Sequence, residues 1–84
     1  RQMDNGETMV DAGMSISDFN DHFGTRLPDT DWDTVGGFVF GTLEHVPVAG
    51  ETVEHDGWVF RVEEIDGRRI RTLRLSPQVD RPAS

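Results

Sequence analysis

Apolar positions along this 84-residue chain change period several times, and each change marks an element. Glu7-Thr8-Met9-Val10-Asp11 reads as a short strand, after which Ala12-Gly13 turns the chain. Ser15 is placed to cap a helix, with Asp18 three residues on as a capping-box partner. Ile16, Phe19 and Phe23 then form one apolar stripe, and Gly24 supplies a left-handed stop. A loop of turn formers, Asp29-Thr30-Asp31-Trp32-Asp33, leads to a second helix capped by Asp33 or Thr34. Val35, Phe38, Val39, Thr42 and Leu43 fall on one face of that helix, which predicts its buried side. Gly36 and Gly37 in its first turn cost about 1 kcal/mol each relative to Ala, so they need a structural or functional reason.

From Pro47-Val48-Ala49-Gly50 onward the period becomes two. Asp56-Gly57 and Asp66-Gly67 each separate strand-like runs, a pairing that signals type I′ hairpin turns. The pattern predicts an antiparallel meander of strands 52–55, 58–65 and 68–75. Trp58, Phe60 and Val62 point inward between Arg61 and Glu63, while Ile70, Leu73 and Leu75 break strict alternation and predict a bulge near Arg71-Thr72. The fold class is α+β: a small antiparallel sheet of three C-terminal strands plus one or two N-terminal ones, packed on two short helices. One domain over residues 7–76 is expected, with 1–6 a linker remnant and 77–84 a tail.

Composition narrows the function classes. No cysteine is present, which removes disulfides and thiolate zinc sites. No apolar run approaches the roughly 18 residues of a membrane span, and the polar start lacks a secretory h-region, so direct membrane insertion is not expected. The first residue is Arg1, which fits a piece excised from a longer protein. A net charge of −8 argues against nucleic acid. Residues 1–56 carry twelve acids against two arginines, a balance of −10, whereas residues 57–84 carry six arginines against four acids, a balance of +2.

The residues resemble the transporter-associated domain of the CorC/HlyC family. Asp18-Phe19-Asn20, Leu27-Pro28 and Asp33-Thr34-Val35-Gly36-Gly37-Phe38-Val39 carry the first half of the likeness. His45-Val46-Pro47-Val48-Ala49-Gly50-Glu51, Asp56-Gly57-Trp58-Val59-Phe60-Arg61-Val62 and Asp66-Gly67-Arg68-Arg69-Ile70 carry the second. The resemblance spans residues 7–75 in order. It implies a non-enzymatic regulatory module, C-terminal to a pair of CBS domains and a transmembrane domain, on the cytoplasmic side of a bacterial inner (cell) membrane. Proteins of that kind are associated with magnesium and cobalt efflux or are labelled hemolysin-related, and the module is thought to modulate ion transport. The expected partners are the CBS-pair and transmembrane domains of the parent, with a second copy of the chain a further candidate. The family offers no catalytic residues and no cofactor, although its fold is likened to part of FAD-binding domains. Phe40-Gly41-Thr42 departs from the helix-friendly, Glu/Arg-rich stretch expected there and leaves the second helix's length open.

Candidate chemistry is sparse. Asp29, Asp31 and Asp33 open like a calcium loop, but Thr34 and Phe40 stand where an EF-hand needs Gly and a bidentate Glu. A looser divalent-cation sensor remains an alternative to a solvated loop. His22, His45 and His55 have no ligand spacing, so no metal site is assigned. Gly36 and Gly37, with Thr34, form the sharpest ligand candidate: a helix start that would let an anionic or nucleotide group approach exposed N–H groups. Its structural alternative is close packing of this helix. Arg61, Arg68, Arg69 and Arg71, with Arg74, lie on one predicted hairpin and form a candidate interaction surface, set against cross-strand pairing with Glu63, Glu64 and Asp66.

Overall fold

The computed structural model describes residues 7–77. Residues 1–6 and 78–84, expected as linker remnant and tail, lie outside the described residues. The elements run β1 (Thr8–Asp11), α1 (Ile16–Phe23), α2 (Val35–Leu43), β2 (Thr52–His55), β3 (Trp58–Asp66) and β4 (Arg69–Pro77). One four-stranded antiparallel sheet has the order β1-β4-β3-β2, so the C-terminal meander is completed by the first strand pairing at its far side. The α+β fold read from the pattern is the one observed.

Period-two residues form the inner face: Val10, Val53, Phe60, Val62, Ile70, Leu73 and Leu75 are all buried. The helices lay Ile16, Phe19, Val35, Phe38 and Val39 against them. A run of ring contacts crosses this core, from Trp58 through Phe23 and Phe19 to Phe60, then through Phe38 to Trp32. Thr42, expected on the buried face of α2, is exposed; its hydroxyl donates to the Phe38 carbonyl instead. Trp32 and Leu43, half-buried, pack against the same core.

The hairpins share a dipeptide and differ in turn. His55 pairs with Trp58, leaving Asp56 and Gly57 as two central residues of positive φ, the expected type I′ geometry. Asp66 pairs with Arg69, so the second turn is Gly67-Arg68, with positive φ only at Gly67. That is the II′ arrangement, which needs Gly at the first central position alone. The expected bulge sits at Arg71, which has no partner in the β3–β4 register, and a compensating one occurs at Glu63. Each extra residue flips the alternation. Together they bring Ile65 opposite Ile70 while Phe60 and Val62 keep the inner face.

Ser15 accepts from the Asp18 N–H at 3.0 Å, and Thr34 from the Gly37 N–H at 3.1 Å, so both helix starts are capped as the residue types require. Segments 12–16 and 33–36 run antiparallel between them. The Ile16 N–H donates to the Asp33 carbonyl, the Val35 N–H to Met14 and the Gly36 N–H to Ala12, at 2.9 to 3.0 Å. A Cβ at Gly36 would sit 2.7 Å from Ala12 Cβ and 2.9 Å from its carbonyl oxygen. Asn20 performs a similar stitch after α1: its amide donates to the Leu27 carbonyl and accepts from Leu27 N–H and the Thr25 hydroxyl.

Gly36→Ala is therefore expected to destabilise the domain by about 2 kcal/mol, overlap outweighing the better helix propensity of Ala. A Cβ at Gly37 would meet the Thr34 hydroxyl at 3.2 Å and Trp32 at an ordinary 3.8 Å, so Gly37→Ala is expected to change stability much less. Urea unfolding of the two variants checks this, and equal effects would contradict the packing account.

Candidate functional site

A cleft of about 680 Å³ opens where three distant parts of the chain meet: the Ala12-Gly13 turn, the first turn of α2 and the β3–β4 hairpin. It gathers residues that the sequence suggested for separate purposes. Thr34, Gly36 and Gly37 line one wall, and Arg68 and Arg69 line the other. Ala12, Ile70 and Phe40 supply apolar surface; Ala12 and Ile70 are buried, and Phe40 is 38% exposed. A smaller depression of about 450 Å³ shares Gly13, Arg69 and Ile70 and adds Arg71. Arg61 stands elsewhere, opposite Arg74 on the β3–β4 ladder.

Positioning follows from local structure. The II′ turn puts Arg68 at the hairpin tip and Arg69 directly after it. The Arg71 bulge resets the strand so that Ile70 turns inward between exposed arginines. On the opposite wall, the helix start has no amide to offer. The N–H groups of Val35, Gly36 and Gly37 already donate to the Met14 and Ala12 carbonyls and to Thr34 Oγ1. A group entering the cleft would meet Gly36 and Gly37 as bare backbone surface and would find its positive charge on Arg68 and Arg69.

The arginines divide into two kinds. Arg74 Nη1 lies 3.2 Å from Glu7 Oε1, and its Nε lies 3.0 Å from Glu63 Oε2, close enough for ion pairing though not aligned as a hydrogen bond. Arg61 Nε reaches the same Glu63 oxygen at 3.5 Å. Glu63 thus sits between two like charges that the register sets opposite each other, the cross-strand pairing weighed from the sequence. Among the described residues, Arg68, Arg69 and Arg71 make no ion pair, although Asp66 is the register partner of Arg69.

The remaining ionisable groups are scattered. Among the described residues no three of His, Asp and Glu come together as a metal-holding group, Asp29, Asp31 and Asp33 included. His22 packs edge-on against Phe23, His55 packs on Phe38, and His45 bonds Glu51. Glu51 closes the loop after α2. One of its carboxylate oxygens accepts from Val48 N–H at 2.9 Å, the other meets His45 Nε2 at 2.5 Å, and Val46 and Val48 are left exposed on that loop. No signal in the sequence marked this clamp.

The Val48 N–H and the His45 ring hold the Glu51 carboxyl below the usual glutamate range. A lowered folded-state pKa means the clamp contributes fully above the ordinary glutamate pKa and is lost as pH falls through the depressed value. Glu51→Gln is therefore expected to cost stability at pH 6 and to cost progressively less toward pH 3. Urea titrations of wild type and variant at the two pH values measure it; a pH-independent gap would contradict the assignment.

Comparison with known proteins places this geometry. The family described as the CorC/HlyC transporter associated domain matches residues 1–79. The magnesium and cobalt efflux protein CorC of Salmonella typhimurium is 40% identical over 82 residues, 98% of this chain and 28% of that protein. Hemolysin C of Brachyspira hyodysenteriae is 37% identical over 73 residues, 86% of this chain and 27% of that protein. The chain thus spans little more than a quarter of the curated relatives it matches. Among solved structures, a CorC-associated region from Neisseria meningitidis superposes with a TM-score of 0.85 at 35% identity, over 92% of this chain and 95% of that one. A hemolysin domain from Enterococcus faecalis gives 0.82 at 32%, over 90% and 93%. The match is to a transporter-associated family, not an enzyme family, and no helix among the described residues is long and apolar enough to cross a membrane. The chain belongs to the CorC/HlyC transporter-associated domain family.

Proposed function

We propose that this chain is the accessory domain of a CorC-type membrane protein, modulating magnesium and cobalt transport through contacts with neighbouring domains rather than through chemistry of its own. The observation that supports this best is the distribution of its charged groups. Acids and imidazoles are spread singly or used to hold loops and strands, while Arg68, Arg69 and Arg71 have no ion-pair partner among the described residues; Arg68 and Arg69 line the cleft that exposed Phe40 also lines, and Arg71 lines the depression next to it. A surface of that kind suits docking. Relatives that carry such a segment as about 28% of their length and are named for magnesium and cobalt efflux supply the ion class.

In this reading the domain sits on the cytoplasmic side of the bacterial inner membrane. It touches a CBS pair, the transmembrane domain or a second copy of itself. Regulation requires contacts that differ between two states of the transporter, worth on the order of 1 to 3 kcal/mol.

Excision of this segment from the parent protein, with membrane abundance held equal, is expected to change magnesium or cobalt efflux, or its response to ion load, by roughly 5-fold or more. Isotope or fluorescent-indicator flux measurements provide the readout, and unaltered transport with unaltered regulation would remove the proposal.

A further inference from the structure

The cleft also says what kind of partner it suits. We propose that the surface formed by Arg68, Arg69 and Arg71 around Phe40 and Ile70 is the docking face of the domain, and that its occupant is a protein segment presenting carboxylates beside an apolar side chain. This inference rests on the docking reading above and makes it specific.

Three observations converge. The first is charge. In a chain of net charge −8, the hairpin turn and the strand after it hold three arginines without ion pairs among the described residues, while Arg61 and Arg74 are neutralised on another part of the sheet. A planar guanidinium presents donors in a fork that matches a carboxylate. The second is shape. The two depressions share Gly13, Arg69 and Ile70, and taken together as one trough they carry arginines along the hairpin side and an exposed aromatic ring in the lining of the larger. Arginine and aromatic side chains side by side are the composition of protein-interface anchors. The third is what the trough lacks. With the α2 amides consumed inside the chain, the helix-start wall offers a compact phosphate no backbone cradle.

An anionic bilayer would also attract arginines, at about 1 kcal/mol for each near the surface. Against it stand the carboxylate of Asp66 on the same cleft, that of Asp11 on the adjoining depression and the strong overall negative charge of the chain. A separated pattern of cation, acid and apolar recess fits a side-chain array better than a continuous sheet of headgroups.

The test uses the 15N-labelled chain and a probe peptide, acetyl-Asp-Glu-Phe-Asp-Glu-Leu-amide. Its controls are the Asn/Gln counterpart, a version with Ser at both apolar positions, and vesicles of phosphatidylglycerol and phosphatidylcholine. The acidic, apolar peptide is expected to shift amides of Gly13, Gly36, Gly37, Phe40 and Arg68–Ile70, with both altered peptides weaker. Arg68→Gln with Arg69→Gln should reduce affinity about tenfold, Phe40→Ser should reduce it less, and Arg61→Gln should leave it unchanged. All four positions are exposed, and unchanged circular dichroism confirms that the variants fold. Absent or scattered shifts, or affinity indifferent to Arg68 and Arg69, would overturn the assignment. Arginine-dependent binding to vesicles without binding to the peptide would overturn it in favour of lipid. If the cleft binds nothing while excision still alters flux in the parent, the docking role stands and only this face is wrong.

Discussion

The two helices of this domain begin on each other, and most of its architecture follows from that junction. Ile16 and Val35 each donate their first helical N–H to the opposite segment, at Asp33 and Met14, so neither helix start exists without the other. Gly36 lets the backbones close to the point where the Ala12 carbonyl accepts its N–H, a distance at which a Cβ would overlap Ala12. Helices of eight and nine residues are too short to be stable alone. Here each finds a backbone acceptor for its first N–H in the other's lead-in, and the pair then presents Phe19 and Phe38 together to Phe60 on the sheet. The junction also carries β1, because Ala12 N–H donates to the Arg71 carbonyl at the point where the strand leaves β4.

Much of this fold was legible in the sequence, because its signals are local. The Ser15 cap, the Gly24 stop and the strand 52–55 require only residue type and period, whereas the second cap, open between Asp33 and Thr34 in the sequence, falls on Thr34. The departures have physical causes beyond a local window. The second Asp-Gly forms a II′ turn since Asp66 is drawn into the ladder opposite Arg69, which only the strand register decides. The bulge at Arg71 was marked by the spacing of Ile70 and Leu73, whereas its counterpart at Glu63 becomes visible only when the partner strand is known. The unhelical run Phe40-Gly41-Thr42 is helical all the same, and its glycine is required by Trp32, whose indole nitrogen would lie 2.3 Å from a Cβ at Gly41. With no glycine at its end, α2 stops at Glu44, which takes the left-handed conformation at φ 61° itself. The cleft was not legible as a unit, since its walls come from residues near 12, 36 and 68 and no sequence window spans them.

The charge asymmetry between the two parts of the chain acquires a structural meaning. Glu63 and Glu7 tie Arg74 and Arg61 into a network on one part of the sheet; such half-exposed pairs contribute at most about 1 kcal/mol each. Their larger effect is to remove those arginines from the surface field. Of the four arginines left without an ion pair among the described residues, three, Arg68, Arg69 and Arg71, lie at the β3–β4 turn and the strand after it, and Arg26 is the fourth. Under the docking proposal, a net acidic body with these arginines gathered in one place would orient an approaching acidic partner toward them, and steering of that kind sets specificity and association rate more than affinity.

Rigidity and recognition meet at the same place. A docking face can bias a transporter only if its own geometry persists while its partner moves, since a compliant surface would follow the partner and transmit nothing. The walls of the trough are the zipped helix starts on one side and a two-residue hairpin on the other, both tied by backbone hydrogen bonds. Gly36 therefore has two consequences from one contact. Its missing side chain lets the helix starts close, and the closed junction forms the wall of the cleft across from Arg68 and Arg69. A loosened junction would blur that spacing even with every arginine intact, so the docking proposal requires the stability of the helix start and the sharpness of docking to vary together.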